Sequence, residues 1–297
     1  MPVEIVGMLG HRQSTLTYKS PKPFDADYVL LLARTLEQAG YDRALVAQSS
    51  FWPDSMPFAS FVAGATQRLK FMIAHRPGFV APTMAARMFA TLNAFSNGRA
   101  GIHIITGGND VETQCDGDFL TKEQRYRRSG EFVKILRQIW ASDAPVDHEG
   151  EYYRFNKGLS ELRPAPGAIP IYWGGASEAS LATAAQWADI YAFSLTSVDA
   201  TRKTVADMTA RAAGHGRAVR FQGLTRMVLG PTEEIAWRNA REVAEILRAQ
   251  TEERRRATGT ADDLSKAGGR SDASLSTKGA EPRPYEVPAE IVDARLW

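Results

Sequence analysis

The residues of this 297-residue chain best suited to chemistry sit at the ends of short apolar runs. Thr106-Gly107-Gly108 closes RAGIHIITGG, and Gly174-Gly175-Ala176-Ser177 follows IPIYW. Glycine lets backbone N–H groups approach a phosphate, and a helix starting behind such a turn adds positive potential. Taken alone, both clusters are better explained as tight turns, because short glycine clusters are common. His11 ends the first apolar run, where a histidine either moves protons near neutral pH or is a satisfied structural ring. His75 and Arg76 close KFMIAHR. Of the two, Arg76 is the better anion binder, because guanidinium stays charged and presents paired donors. An ion pair with a neighbouring loop carboxylate is the competing reading. His103 lies inside a strand pattern and is assigned to packing, and His148 and His215 sit in turn-like surface contexts. The five histidines lack the spacing of a metal site, so none is expected.

These positions need elements to hold them, and the clearest is Lys70 to Gly108, a strand–helix–strand unit. Pro82 suits a helix start. Met84, Arg87, Met88, Thr91, Leu92 and Phe95 recur at helical spacing and predict its buried stripe. Asn97-Gly98 ends the helix, and the β-branched run after it reads as a strand buried on both faces. Around this unit the pattern predicts strands over 3–9, 44–48, in IPIYWGG, over 189–194 and over 220–229. Helices are predicted from Asp25 or Asp27 to Gly40 and over 58–66, 121–142, 178–188, 199–214 and 232–250. Leu30, Leu31, Ile135 and Leu136 are expected in the core, and the charge runs RRSGEF and TEERRRA on solvated faces. A hairpin excursion is expected within 146–166. Seven strand–helix steps imply a parallel sheet and favour one barrel over two domains.

Composition narrows the function. With 44% hydrophobic residues the chain can bury a large core, and a net charge of +2 with mixed signs predicts no nucleic-acid footprint. The single Cys115 excludes an internal disulfide. The start MPVEIVGMLGH has no basic segment and too short an apolar run for a signal peptide or a membrane span, so cytoplasm is the expected location. After Gln250 the chain turns charged and rich in Gly, Ser and Pro, and a mobile segment is expected over 251–285.

Five stretches carry a resemblance: TQRLKFMIAHRPGFVAPTMAAR, ATLNAFSNGRAGIHIITGG, DGDFLTKEQRY, PIYWGGAS, and GHGRAVRF before PTEEIAW. In order and spacing, over most of residues 1–240, the chain resembles the bacterial-luciferase-like flavin monooxygenases, closest to their alkanesulfonate monooxygenase branch. The resemblance implies a (β/α)8 TIM barrel, residues 1–250, using reduced FMN (FMNH2) and O2. A separate NAD(P)H:FMN reductase would supply the reduced flavin. It implies a homo-oligomer and a C4a-peroxyflavin that oxygenates a small, possibly organosulfur substrate. Against that pattern the eighth β/α unit is missing, so 251–297 reads as a lid segment and a truncated C-terminus, with open edges at strands one and seven.

By resemblance, Thr106, Gly107, Tyr126, Gly174, Gly175, Ala176 and Ser177 bind FMN. His11, Arg76 and Arg226 are the catalytic candidates, poised to stabilise peroxide charge, while Trp52 and His75 line the substrate pocket. Several positions depart from the sulfonate pattern. Trp52 stands where those enzymes carry a cysteine, Leu224 replaces an arginine, Arg226 a histidine, and Ser194 a tryptophan. Two other readings stay open: an oxidoreductase of the same superfamily using the deazaflavin F420, and a non-catalytic, flavin-binding incomplete barrel.

Overall fold

The structure is a computed structural model and describes residues 3–14, 20–107, 110–225 and 227–258. Seven strands form one wholly parallel sheet: β1 (Val6–Leu9), β2 (Arg43–Val46), β3 (Lys70–His75), β4 (Ile102–Ile104), then β7 (Ile171–Gly174), β8 (Ile190–Ser194) and β9 (Arg220–Leu224). A separate antiparallel hairpin, β5 (Val146–Glu149) and β6 (Arg154–Gly158), interrupts the alternation between β4 and β7. Among the described residues nothing pairs β9 back to β1. The curved parallel sheet with helices between its strands is the barrel fold expected, seven units of it described. The chain after Thr258, where the lid segment and truncated C-terminus are expected, lies outside the described residues.

Local chemistry starts the helices. Asp25 caps α1 (Ala26–Gln38) by accepting from the Tyr28 N–H, and Asp54 caps α2 (Ser55–Ala63) through Met56. Pro82 opens α3 (Pro82–Phe95). Thr121 and Gln124 form a reciprocal capping box on α5 (Lys122–Ala141). Ser177 and Ser197 cap α6 (Glu178–Trp187) and α7 (Val198–Ala213). Two elements extend the sequence pattern. A six-residue helix, α4 (Asp110–Cys115), fills what reads as loop, and α8 (Glu233–Thr258) runs eight residues past Gln250. The expected mobile segment thus begins as helix, and its remainder, 259–285, lies outside the described residues.

Strand alternation divides the core. Val46, Phe71, Ile73, Ile102, Ile104, Ile171, Trp173 and Tyr191 pack outward against the helices, while Met72, Tyr172 and Ile190 with Leu45 face inward. Each fully buried side chain of this size contributes roughly 1.5–3 kcal/mol by leaving water.

Tertiary packing overrules the helical stripes in places. On α3 the buried face is Ala85, Ala86, Phe89, Ala90 and Leu92, whereas Met84 and Phe95 are exposed. The alanines allow close approach to α5, whose Trp140 indole donates to the Ala86 carbonyl at 2.9 Å. Leu31 is likewise exposed, and α1 packs through Val29, Ala33 and Leu36. Arg128, expected on a solvated face, is buried in an ion pair with Asp118. β9 stops at Leu224 rather than 229, because its partner β8 ends at Ser194 and offers no further ladder.

Candidate active site

In parallel barrels the chemistry gathers where strands end and the following turns begin. Strands β4 and β7 are hydrogen-bonded neighbours, with Ile104 paired to Trp173, so the two glycine turns leave the sheet side by side. Gly107 adopts φ +81°, and a side chain there would run into the Thr113 methyl. Thr106 is buried just before it. Across the seam, Gly175 takes φ +139° and its carbonyl accepts from the Tyr191 hydroxyl at 2.6 Å. The Ser180 hydroxyl donates to the Gly174 carbonyl at 3.1 Å. Both glycine carbonyls are thereby directed into protein. Ala176 is exposed and Ser177 caps α6, which leaves the first N–H groups of that helix at the rim. This donor set suits a phosphate. Tyr126 sits in the first turns of α5 with its ring in the buried core.

His11 and Trp52 arrive from different loops and meet. Their ring centroids are 5.4 Å apart at 50°, and the His11 carbonyl accepts from the Asp25 N–H at 2.9 Å. Trp52 is partly exposed, and Phe51 beside it is largely so.

Arg76 resolves in favour of the ion pair. It is 3% exposed and donates to the Ser50 hydroxyl at 2.8 Å and to Glu112 at 2.9 Å, with Asp116 at 3.5 Å. Ser50 in turn donates from its N–H to Glu112 at 3.0 Å and from its hydroxyl to Asp116 at 2.6 Å. Burial alone would raise the Glu112 carboxyl. The Ser50 N–H and the Arg76 guanidinium outweigh it and hold that carboxyl below its ordinary value. The two carboxylates neutralise the strand-end cation.

His75 corrects its expected place in the substrate pocket. Strand alternation turns it to the helix side of β3, where it stacks on Phe132 at 5.2 Å and meets Phe89 edge-on at 5.4 Å. Burial pushes its imidazole down to about 4. Arg226 lies outside the described residues.

A cavity of about 460 Å³ is lined by Asp116 of the Arg76 cluster together with Phe79, Asp118, Arg128 and Tyr153 among others. It includes none of the expected site residues, and burial pushes its Tyr153 phenol up.

Sequence reasoning overlooked Ser50, Glu112, Asp116 and Arg125. The first three join only through tertiary contact, and DVETQC is too short for periodicity to mark as a helix. The one readable signal is the cluster of acids after Gly107, at Asp110, Glu112 and Asp116.

A family model described as luciferase-like monooxygenase matches residues 3–295. The chain belongs to that family. Similar solved structures include the EDTA monooxygenase EmoA from Chelativorans sp. BNC1, with TM-score 0.72, 20% identity, and 82% of this chain and 68% of that one covered. The long-chain alkane monooxygenase LadA gives TM-score 0.70, 19% identity, and 83% and 68% coverage. An F420-dependent secondary alcohol dehydrogenase gives TM-score 0.62, 20% identity, and 75% and 68% coverage. At these identities the likeness is one of fold. Within this luciferase-like chain, no described helix is long and apolar enough to cross a membrane.

Proposed function

We propose that the chain is the oxygenase of a two-component system, a flavin-dependent monooxygenase that takes reduced FMN from a separate NAD(P)H:FMN reductase and uses O2 on a small organic substrate. The observation that carries this reading is the adjacency of two glycine turns on paired strands, one of them opening onto the N-terminus of α6. Thr106, Gly107, Gly174, Gly175, Ala176 and Ser177 would hold the flavin phosphate, with Tyr126 behind them. The reduced flavin supplies the capacity to activate O2 for transfer to carbon or sulfur.

The protein's own part is to bind, to shape and to keep water out. His11 and Trp52, whose rings meet, would form one wall of the substrate cleft, where the His11 ring would hold or move a proton. The acidic partners of Arg76 hold its charge in the wall, which supports an uncharged substrate over a sulfonate. The exposed side chains of Phe51, Trp52 and Leu224 agree with an apolar ligand. We therefore place sulfides, sulfones and hydrocarbons ahead of alkanesulfonates. The likeness to an F420-dependent dehydrogenase keeps a deazaflavin reading as the second choice.

The test is a panel of sulfonates, sulfones, sulfides and alkanes with a flavin reductase, NADH, FMN and O2, scored for oxygenated product. Product from uncharged members alone is expected. Turnover of sulfonates only would overturn the substrate assignment. Reduction of a carbonyl with reduced F420 and no product with reduced FMN would select the second reading. No turnover with either, in protein that binds flavin, would identify a non-catalytic barrel.

A further inference from the structure

Resting on the flavin-phosphate reading above, we propose that Asp110, Glu112 and Arg125 are positioning residues that hold Gly107, at the end of the described part of the β4 turn, in the conformation that takes a phosphate. Helix α4 has six residues, far too few to be stable by itself. Its position must come from outside, and three tethers supply it from different directions.

The first comes from α5. Arg125 is 1% exposed, and one of its terminal nitrogens donates to Asp110 at 2.7 Å while lying 3.3 Å from the Gly107 carbonyl. The other terminal nitrogen reaches the Leu120 carbonyl at 2.5 Å. One guanidinium thus fixes the last described residue of the β4 turn, the first residue of α4, and the loop that leads into α5. The planar fork makes this geometry specific to arginine.

The second tether comes from the other side of the rim. Glu112 accepts from the Ser50 N–H and from Arg76, so the β2 and β3 loops hold the first turn of α4. The third is steric. Thr113 is fully buried and fills the space over Gly107, whose positive φ the turn requires. Gly107 and the first turn of α4 are thus tethered from α5 and from β2–β3 at once. A phosphate site benefits from that, since donors already in place need no ordering when the ligand arrives.

The experiment compares wild type with Asp110→Asn, Glu112→Gln and Arg125→Lys. Asp110 is two-thirds exposed, so its variant is expected to fold. Dissociation constants are measured anaerobically for reduced FMN and for reduced riboflavin, which lacks the phosphate, and amide exchange is followed across α4 in flavin-free protein. Losing a charge-assisted hydrogen bond should weaken FMN about tenfold in each variant. Riboflavin affinity should stay put, and α4 amides should exchange faster. A general loss of fold would instead weaken both flavins alike and overturn the proposal. A wild-type preference for FMN that survives in all three variants overturns this proposal alone. Wild-type protein with no preference for FMN over riboflavin overturns the phosphate reading, and this proposal with it.

Discussion

Replacing His75 with phenylalanine should remove a specific part of the acid sensitivity of this protein. The imidazole is wholly enclosed by Phe132, Phe89 and the sheet, and its Nε2 is buried with no hydrogen-bond partner, so the folded state holds it neutral down to a pH of about 4. In the unfolded chain the same ring titrates near 6.5. Below pH 6.5 the unfolded chain therefore takes up a proton that the native state refuses, and stability falls as pH falls, until the native ring also titrates near 4. Integrating between the two values gives a loss of about 2 kcal/mol by pH 5 and about 3 kcal/mol by pH 4, and no effect above pH 7. Carboxylates also titrate in this range, so the useful quantity is a difference. Urea unfolding of wild type and His75→Phe is measured at pH 7 and pH 5. The variant keeps an aromatic ring against Phe132 but cannot be protonated, so its advantage over wild type should grow by about 2 kcal/mol between the two conditions. An advantage that stays constant would refute the burial of a neutral histidine on the helix side of β3. It would return His75 to the cleft.

Two further outcomes follow from the rim. Gly107→Ala should cost about 1–2 kcal/mol in urea unfolding, because an alanine at φ +81° is strained and its methyl meets Thr113, and a turn that merely needed a small residue would show no such loss. Arg76→Met should destabilise by about 3 kcal/mol through the carboxylates it leaves unpaired, and pairing it with Glu112→Gln should recover part of that; simple additivity in this double-mutant cycle would argue against the ion pair.

How much of this was readable beforehand depends on the distance over which each signal acts. The capping box at Thr121, the proline start of α3, the Asn97-Gly98 stop and the alternation of strands with helices are carried by residues within a few positions of each other, and the elements formed where that chemistry pointed. The face of a helix is not local in this sense. Met84 and Phe95 fit a stripe on α3 as well as Ala85 and Ala86 do, and only the close approach of α5 selects the alanines. The length of β9 likewise depends on where β8 stops.

The same division runs through the site. The amino-acid order alone determined that two glycine turns would follow apolar strands and that a cation would stand at the end of the third, because turn formation and strand burial are local and additive along the chain. Whether that cation would meet a ligand or be consumed by protein was decided by packing. Glu112 and Asp116 lie 36 and 40 positions from Arg76, and only folding brings their carboxylates within ion-pair distance. The fate of His75 was decided in the same way, since the register of β3 in the sheet turned its ring toward the helices and denied it water.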